Sequence, residues 1–237
     1  MKKVKIAVLL LGIVMIALWL WTTQQMQIRN VILAAVFFWV SFAIHRGAHE
    51  IGHLIGGAVS GHKLLLLQLG PVGIRCSRSG KAQICFQNSK EGQCVMLPTR
   101  VKPLRYKAYH AGGVVANVVV VMGAVVLMTV GHQLIKLLAL TLLVSGCMKL
   151  VGNCWPHIEK DSPNDGYILR LLKNDPEVQH DYLTYITLYA ALFWGEMVCA
   201  EDYSYDRHTT EEKRLLFYEE IQTLRNVLRD ASISTPE

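Results

Sequence analysis

The chain has 237 residues, of which 52% are hydrophobic and only 18% charged, with a mean hydropathy of +0.30. That balance excludes an ordinary soluble domain and points to a membrane protein. The excess of 24 Lys and Arg over 18 Asp and Glu gives a net charge of +6. In such a chain it is read as loop charge that sets orientation, not as a nucleic-acid surface.

At the amino end, Lys2, Lys3 and Lys5 precede an uncharged apolar run from Ile6 to Leu20, which closes on Trp19, Trp21 and Thr22. A signal peptide has the same basic and apolar regions, but no small-x-small cleavage site follows, and the tryptophans suit an interfacial belt. Residues 1–24 are therefore expected to be a retained first transmembrane helix, with its start held in the cytoplasm by the lysines.

A second helix is expected from Val31 to Val59, capped by Asn30 and longer than the roughly 20 residues a bilayer requires. Its later half, Ser41 to Gly57, reads SFAIHRGAHEIGHLIGG. His49, Glu50 and His53 form an H-E-x-x-H pattern, which places two imidazoles on one helical face where they can share a metal ion. Glu50 is turned about 100° away, free to work on a water without being a ligand. Ionisable groups at this depth are costly and mark a functional site. His45 lies one turn earlier on the same stripe. A straight helix does not wrap three turns around one tetrahedral ion, so His45 is read as a pocket or supporting residue. Gly47, Gly52, Gly56 and Gly57 permit close helix approach.

Between 61 and 100, runs at Leu64–Leu69, Val72–Cys76, Ala82–Gln87 and Gln93–Leu97 alternate with turn signals, and a small antiparallel sheet follows. Nine Lys and Arg between Lys63 and Lys107 argue for the cytoplasmic side. There Cys76, Cys85 and Cys94 are expected as reduced thiols. The sheet is either a cap over the site or an edge to which an extended substrate adds as a strand, near Leu66 and Leu67.

Apolar helices are expected over 108–131 and 134–152. The first carries Asn117, a carboxamide that needs partners in hydrocarbon and that could donate to a scissile carbonyl or to helix packing. After Gly152 the chain breaks, with Pro156, Pro163 and an Asn-Asp-Gly sequence between Asn153 and Gly166. A third metal ligand is expected from this segment, where Asp165 competes with His157, Glu159 and Asp161 on chemistry alone.

Three motifs in order resemble the site-2 protease family of intramembrane zinc metalloproteases (peptidase family M50): His49-Glu50-Ile51-Gly52-His53, Ala111 to Asn117, and Asn153-x-x-Pro156 leading to Asp165-Gly166. The resemblance covers roughly residues 31 to 171 and has no PDZ-like or cystathionine-synthase-like domain. It differs in carrying Asn164 where the family usually has Leu before Asp-Gly. It implies His49, His53 and Asp165 as ligands of one zinc ion, Glu50 as the base, and Asn117 near the scissile peptide. Gly56, Leu66 and Leu67 fall to substrate binding, and His45 and Asn153 to support of the ligands.

The expected architecture is a polytopic α-helical membrane protein with about four transmembrane helices and a small cytoplasmic membrane-associated β-sheet. Residues 25–173 form the metalloprotease core, and 174–237 a cytoplasmic or membrane-surface helical region. Within this last region, Tyr182 to Ala200 is read as lying on the core rather than spanning, and a final helix is expected over Glu211 to Asp230. The expected activity is hydrolysis of a peptide bond in or near the transmembrane segment of a membrane-anchored, single-span substrate. The expected setting is a bacterial cell membrane, with both termini and the active-site side cytoplasmic and no nucleic-acid partner; homo-oligomerisation is left open. An inactive scaffold or chaperone that binds transmembrane segments is the alternative, and a metal transporter using His45, His49 and His53 a more distant one.

Overall fold

The computed structural model describes residues 2–24, 27–86, 92–99, 104–159, 162–173 and 175–194. The helix expected over Glu211 to Asp230, the end of the 182–200 segment and Asp161 lie outside them. Contacts divide the chain into two units.

The first unit is helical. It takes in α1 (Lys2–Thr22), most of α2 (Ile28–Ser60), α3 (Tyr106–Val130) and α4 (Gln133–Cys154). Of these, α2, α3 and α4 are long and apolar enough to cross a membrane, and α1 adds a shorter apolar run, Ile6–Thr22. The outward residues of α1 to α3 are exposed valines, leucines and isoleucines, as expected where lipid replaces water as the solvent. The chain is therefore an integral membrane protein, with three clearly apolar long helices among the described residues.

Helix α4 is the most buried of the three. Leu137 packs with Leu20 of α1 and Ala34 of α2, while Ala139 and Leu142 pack with Ala124 of α3. Its polar residues face the same interior. Ser41 and Thr141, both wholly buried, meet at 3.0 Å, which satisfies two hydroxyls where no water is available.

Helix α4 runs through Cys154, two residues beyond the expected end, so Asn153 belongs to its last turn. The following segment is shaped by Asn164. Its Oδ1 accepts from the Tyr167 amide at 2.9 Å and the His157 amide at 3.2 Å. Its Nδ2 donates to the Gly152 and Trp155 carbonyls, each at 2.7 Å. The bond to Tyr167 is a helix N-cap reaching the third residue of α5 (Asp165–Leu171). The Asn-Asp-Gly sequence is thus a helix start, because the asparagine side chain accepts from an amide that the first turn of a helix leaves free. A two-residue hairpin, β5 (Ile158–Glu159) with β6 (Ser162–Pro163), precedes it.

The second unit contains a four-stranded antiparallel sheet made of β1 (His62–Leu69), β2 (Val72–Cys76), β3 (Ala82–Phe86) and β4 (Gly92–Pro98), in the order β3-β2-β1-β4. Gly70, at φ +64°, opens the two-residue turn that pairs Leu69 with Val72, a position where glycine avoids a Cβ clash. Helix α6 (Pro176–Trp194) covers one face, with Ile186 and Ala190 against Leu65, Leu66 and Val95. The end of α6 is tied to β2: the Arg75 guanidinium lies 4.3 Å from the Phe193 ring centre, and Trp194 Nε1 donates to the Cys76 carbonyl at 3.1 Å. Among the described residues, Cys76, Cys85 and Cys94 form no disulfide with one another. Among the described residues α6 is not one of the helices long and apolar enough to span.

Candidate metal centre

The centre lies where α2, α3, the end of α4 and the start of α5 converge within the first unit. On α2 the four-residue spacing stacks His49 and His53, with ring centres 4.5 Å apart and planes nearly perpendicular. Their Nε2 atoms are 3.1 Å apart. Asp165, the first residue of α5, brings Oδ2 to 3.1 Å from His49 Nε2 and 3.3 Å from His53 Nε2.

These three separations decide whether a metal fits. Ligands about 2.0–2.1 Å from a zinc ion and at tetrahedral angles lie about 3.3–3.4 Å from one another. The donor atoms are thus already spaced as three corners of such a tetrahedron, with the fourth left to a non-protein ligand. His53 Nδ1 lies 2.8 Å from the Tyr109 carbonyl. A carbonyl cannot donate, so Nδ1 carries the hydrogen and Nε2 presents a bare lone pair to the centre. His49, His53 and Asp165 constitute a metal-binding cluster.

Close helix approach makes this geometry attainable. Gly52 of α2 and Gly112 of α3 face each other, and a Cβ on either would run into the backbone carbonyl of the other. A Cβ on Gly56 would likewise meet the Ala108 carbonyl. Gly56 therefore serves helix contact.

His110 was not among the residues picked out from the sequence. It is buried on α3, with Nδ1 3.6 Å from Asp165 Oδ1, the carboxylate oxygen turned away from the imidazole pair. The sequence did carry a signal for it: His110, Gly113 and Asn117 follow the i, i+3, i+7 spacing of one helical stripe. Burial alone would raise the pKa of the Asp165 carboxyl. The imidazoles gathered around it, His110 first and then His49 and His53, outweigh that and hold it well below the usual carboxylate range.

No protein-family model matches the chain, nor does any curated protein or solved structure. What can be said of the site comes from its own residues.

Glu50 is buried, 7% exposed, on the same turn of α2 as His49. Asn117 and His45 are wholly buried. Asn117 bridges His45 and His49, and Asn153 Nδ2 lies 3.4 Å from His49 Nδ1. His157 turns instead to the Trp155 carbonyl, at 2.8 Å from Nδ1. Leu66 and Leu67 are buried on β1, an inner strand paired on both sides. The outer strands of the described sheet are β3 and β4.

Proposed function

We propose that this protein is an intramembrane zinc-dependent endopeptidase that cuts a membrane-anchored, single-span substrate in or near its transmembrane segment. The observation that carries the reading is the spacing of His49 Nε2, His53 Nε2 and Asp165 Oδ2, at 3.1 to 3.3 Å from one another, beside a buried carboxylate that is not one of the three. Two imidazoles and one carboxylate with an open fourth corner is the donor set of a hydrolytic zinc site, whereas closed structural sites use four protein ligands. A zinc ion there supplies Lewis acidity toward a peptide carbonyl and makes water acidic enough to lose a proton near neutral pH.

The chain's own residues do the rest. Glu50 takes the proton from the attacking water and passes it to the departing amine nitrogen. His110 keeps Asp165 turned so that one oxygen faces the imidazole pair. A helical substrate has its carbonyls engaged, so its segment must be extended near the cut. An added substrate strand would pair with an outer strand of the described sheet, β3 or β4; Leu66 and Leu67 lie on β1, next to β4. In this reading α1 makes a fourth crossing, the basic sheet lies on the cytoplasmic side, and water reaches the centre from there.

The test uses the whole protein purified in detergent. Metal content and cleavage of a single-span peptide are measured for wild type, Glu50→Gln and Asp165→Ala. The expected result is one zinc per chain in wild type and in Glu50→Gln, with cleavage only in wild type, and neither zinc nor cleavage in Asp165→Ala. Zinc retention with undiminished turnover in Glu50→Gln would overturn the base assignment. Stoichiometric zinc with no cleavage of any trapped partner would favour a scaffold.

A further inference from the structure

Helix α1 is fastened mainly to α4 and not to α2, its neighbour in sequence. Gly12 lies so close to α4 that a Cβ there would run into the Val144 side chain. Leu20, near the end of α1, meets Leu137 of α4. Between α1 and α2 this leaves a groove of about 320 Å³. Leu9, Ile13 and Ile16 line it from one stripe of α1, and Val31, Ala35 and Phe38 from one stripe of α2.

Every residue lining the groove is apolar, and a hollow of that kind stays dry. Left unfilled, its walls would lack dispersion contacts on one side. A helix is too thick to fill it: a cylinder about 10 Å across takes up 320 Å³ in about 4 Å of its length, less than one turn. An acyl chain, one methylene wide, can follow the groove lengthwise. The groove reaches Leu20 and Val31. At the adjoining turn between α1 and α2, a polar hollow is lined by Trp21, Thr22, Gln24 and Gln27. Arg29, exposed on the first turn of α2, is the only Asp, Glu, Lys or Arg between Lys5 and Arg46. A guanidinium matches the fork of a phosphate. An apolar slot, a polar hollow and one cation thus follow one another in the order of a phospholipid's acyl chain, ester region and phosphate.

We propose that the groove between α1 and α2 binds one anionic phospholipid, with an acyl chain along the two apolar stripes and the phosphate at Arg29 beside the polar hollow. The lipid fills the space that α1 leaves by leaning on α4. The site is separate from the metal centre, since no residue of that cluster lines the groove. It does not depend on the peptidase reading, and requires only that α1 lies in the bilayer beside α2.

The experiment is native mass spectrometry of the full chain in mild detergent, titrated separately with phosphatidylglycerol and with phosphatidylcholine of the same chain length. Wild type is expected to retain one phosphatidylglycerol through washing. It should bind that lipid about fivefold more tightly than phosphatidylcholine, the effect of one basic side chain on an anionic lipid. Arg29→Gln is expected to erase the preference while lipid is still bound. Ala17→Phe combined with Ala35→Phe fills the groove from both walls and is expected to abolish the retained lipid. An unchanged lipid count in the folded double variant overturns the site, and equal affinity of wild type for the two lipids overturns the headgroup assignment. Loss of a dimer, and not of lipid, on filling the groove would assign it to a second copy of the chain and overturn the proposal. Where the double variant fails to fold, wild type decides through a phosphatidylglycerol with a photoreactive acyl chain. Adducts are expected to concentrate within 9–20 and 31–38. Adducts no more frequent there than on the lipid-facing side of α3 mark ordinary surrounding lipid and overturn the proposal.

Discussion

Gly113 of α3 lies directly against the ring of His49: a Cβ at that glycine would stand 2.5 Å from the imidazole Cε1 and Nδ1, and 2.7 Å from His53 Nε2. The two ligands therefore occupy space that only a residue without a side chain can leave.

From this contact, Gly113→Ala is expected to push both imidazoles out of register. Overpacking of this kind costs about 1–3 kcal/mol, and the displaced atoms are the metal donors themselves. Zinc affinity should fall at least tenfold, more than thermal stability alone would suggest. Isothermal titration with zinc, set against unfolding of the metal-free protein, measures the two effects separately.

Gly52→Ala and Gly112→Ala act on the backbone contact and not on the rings. Each should separate α2 from α3 and lower both stability and zinc affinity. Because the two glycines meet each other, the double variant should cost less than the sum of the singles. A double-mutant cycle on melting temperature checks this.

Asn164→Leu introduces the residue usual at this position in the family that the motifs resemble. It removes the cap bond to Tyr167 and the bonds to Gly152 and Trp155. Loss of such a cap costs about 0.5–2 kcal/mol. Since Asp165 is the adjacent residue, zinc should bind more weakly while the His49 and His53 geometry stays intact. Cobalt substitution would read the change directly, as an altered visible absorption band.

The Asp165 carboxyl is held well below its ordinary pKa by the surrounding imidazoles. A group depressed on folding contributes stability in full above its unfolded value, about 3.9. The contribution is lost as pH falls through the lower folded value. The metal-free protein should therefore lose stability on acidification below about pH 4, and Asp165→Asn should flatten that part of the profile. Melting curves of both proteins from neutral to acid pH, without metal, test the sign.

The long-range ordering of the chain was more legible than its small polar contacts. The apolar runs at 31–59, 108–131 and 134–152 announce α2, α3 and α4 because burial in lipid demands unbroken hydrophobicity, and turn residues bracket all four strands of the sheet. His49 and His53 are local in sequence, so their pairing follows from helix geometry alone. What joins Asp165 to them is not local, and His157, Glu159 and Asp161 fitted the chemistry as well. The cap made by Asn164 decides the matter, and an asparagine before Asp-Gly reads equally well as a turn. His110 was overlooked because one histidine in an apolar helix resembles a buried core residue until its partner is known.

The imidazole pair and the carboxylate that completes the cluster differ in how they depend on the rest of the chain. His49 and His53 are matched as soon as a few turns of α2 have formed, whereas Asp165 arrives on a separate piece fastened by Asn164 to the far end of α4. During synthesis a ribosome-bound chain that stops short of Asp165 holds only half a coordination shell. The metal-binding cluster is thus completed only after the long apolar helices α2, α3 and α4 have all been made.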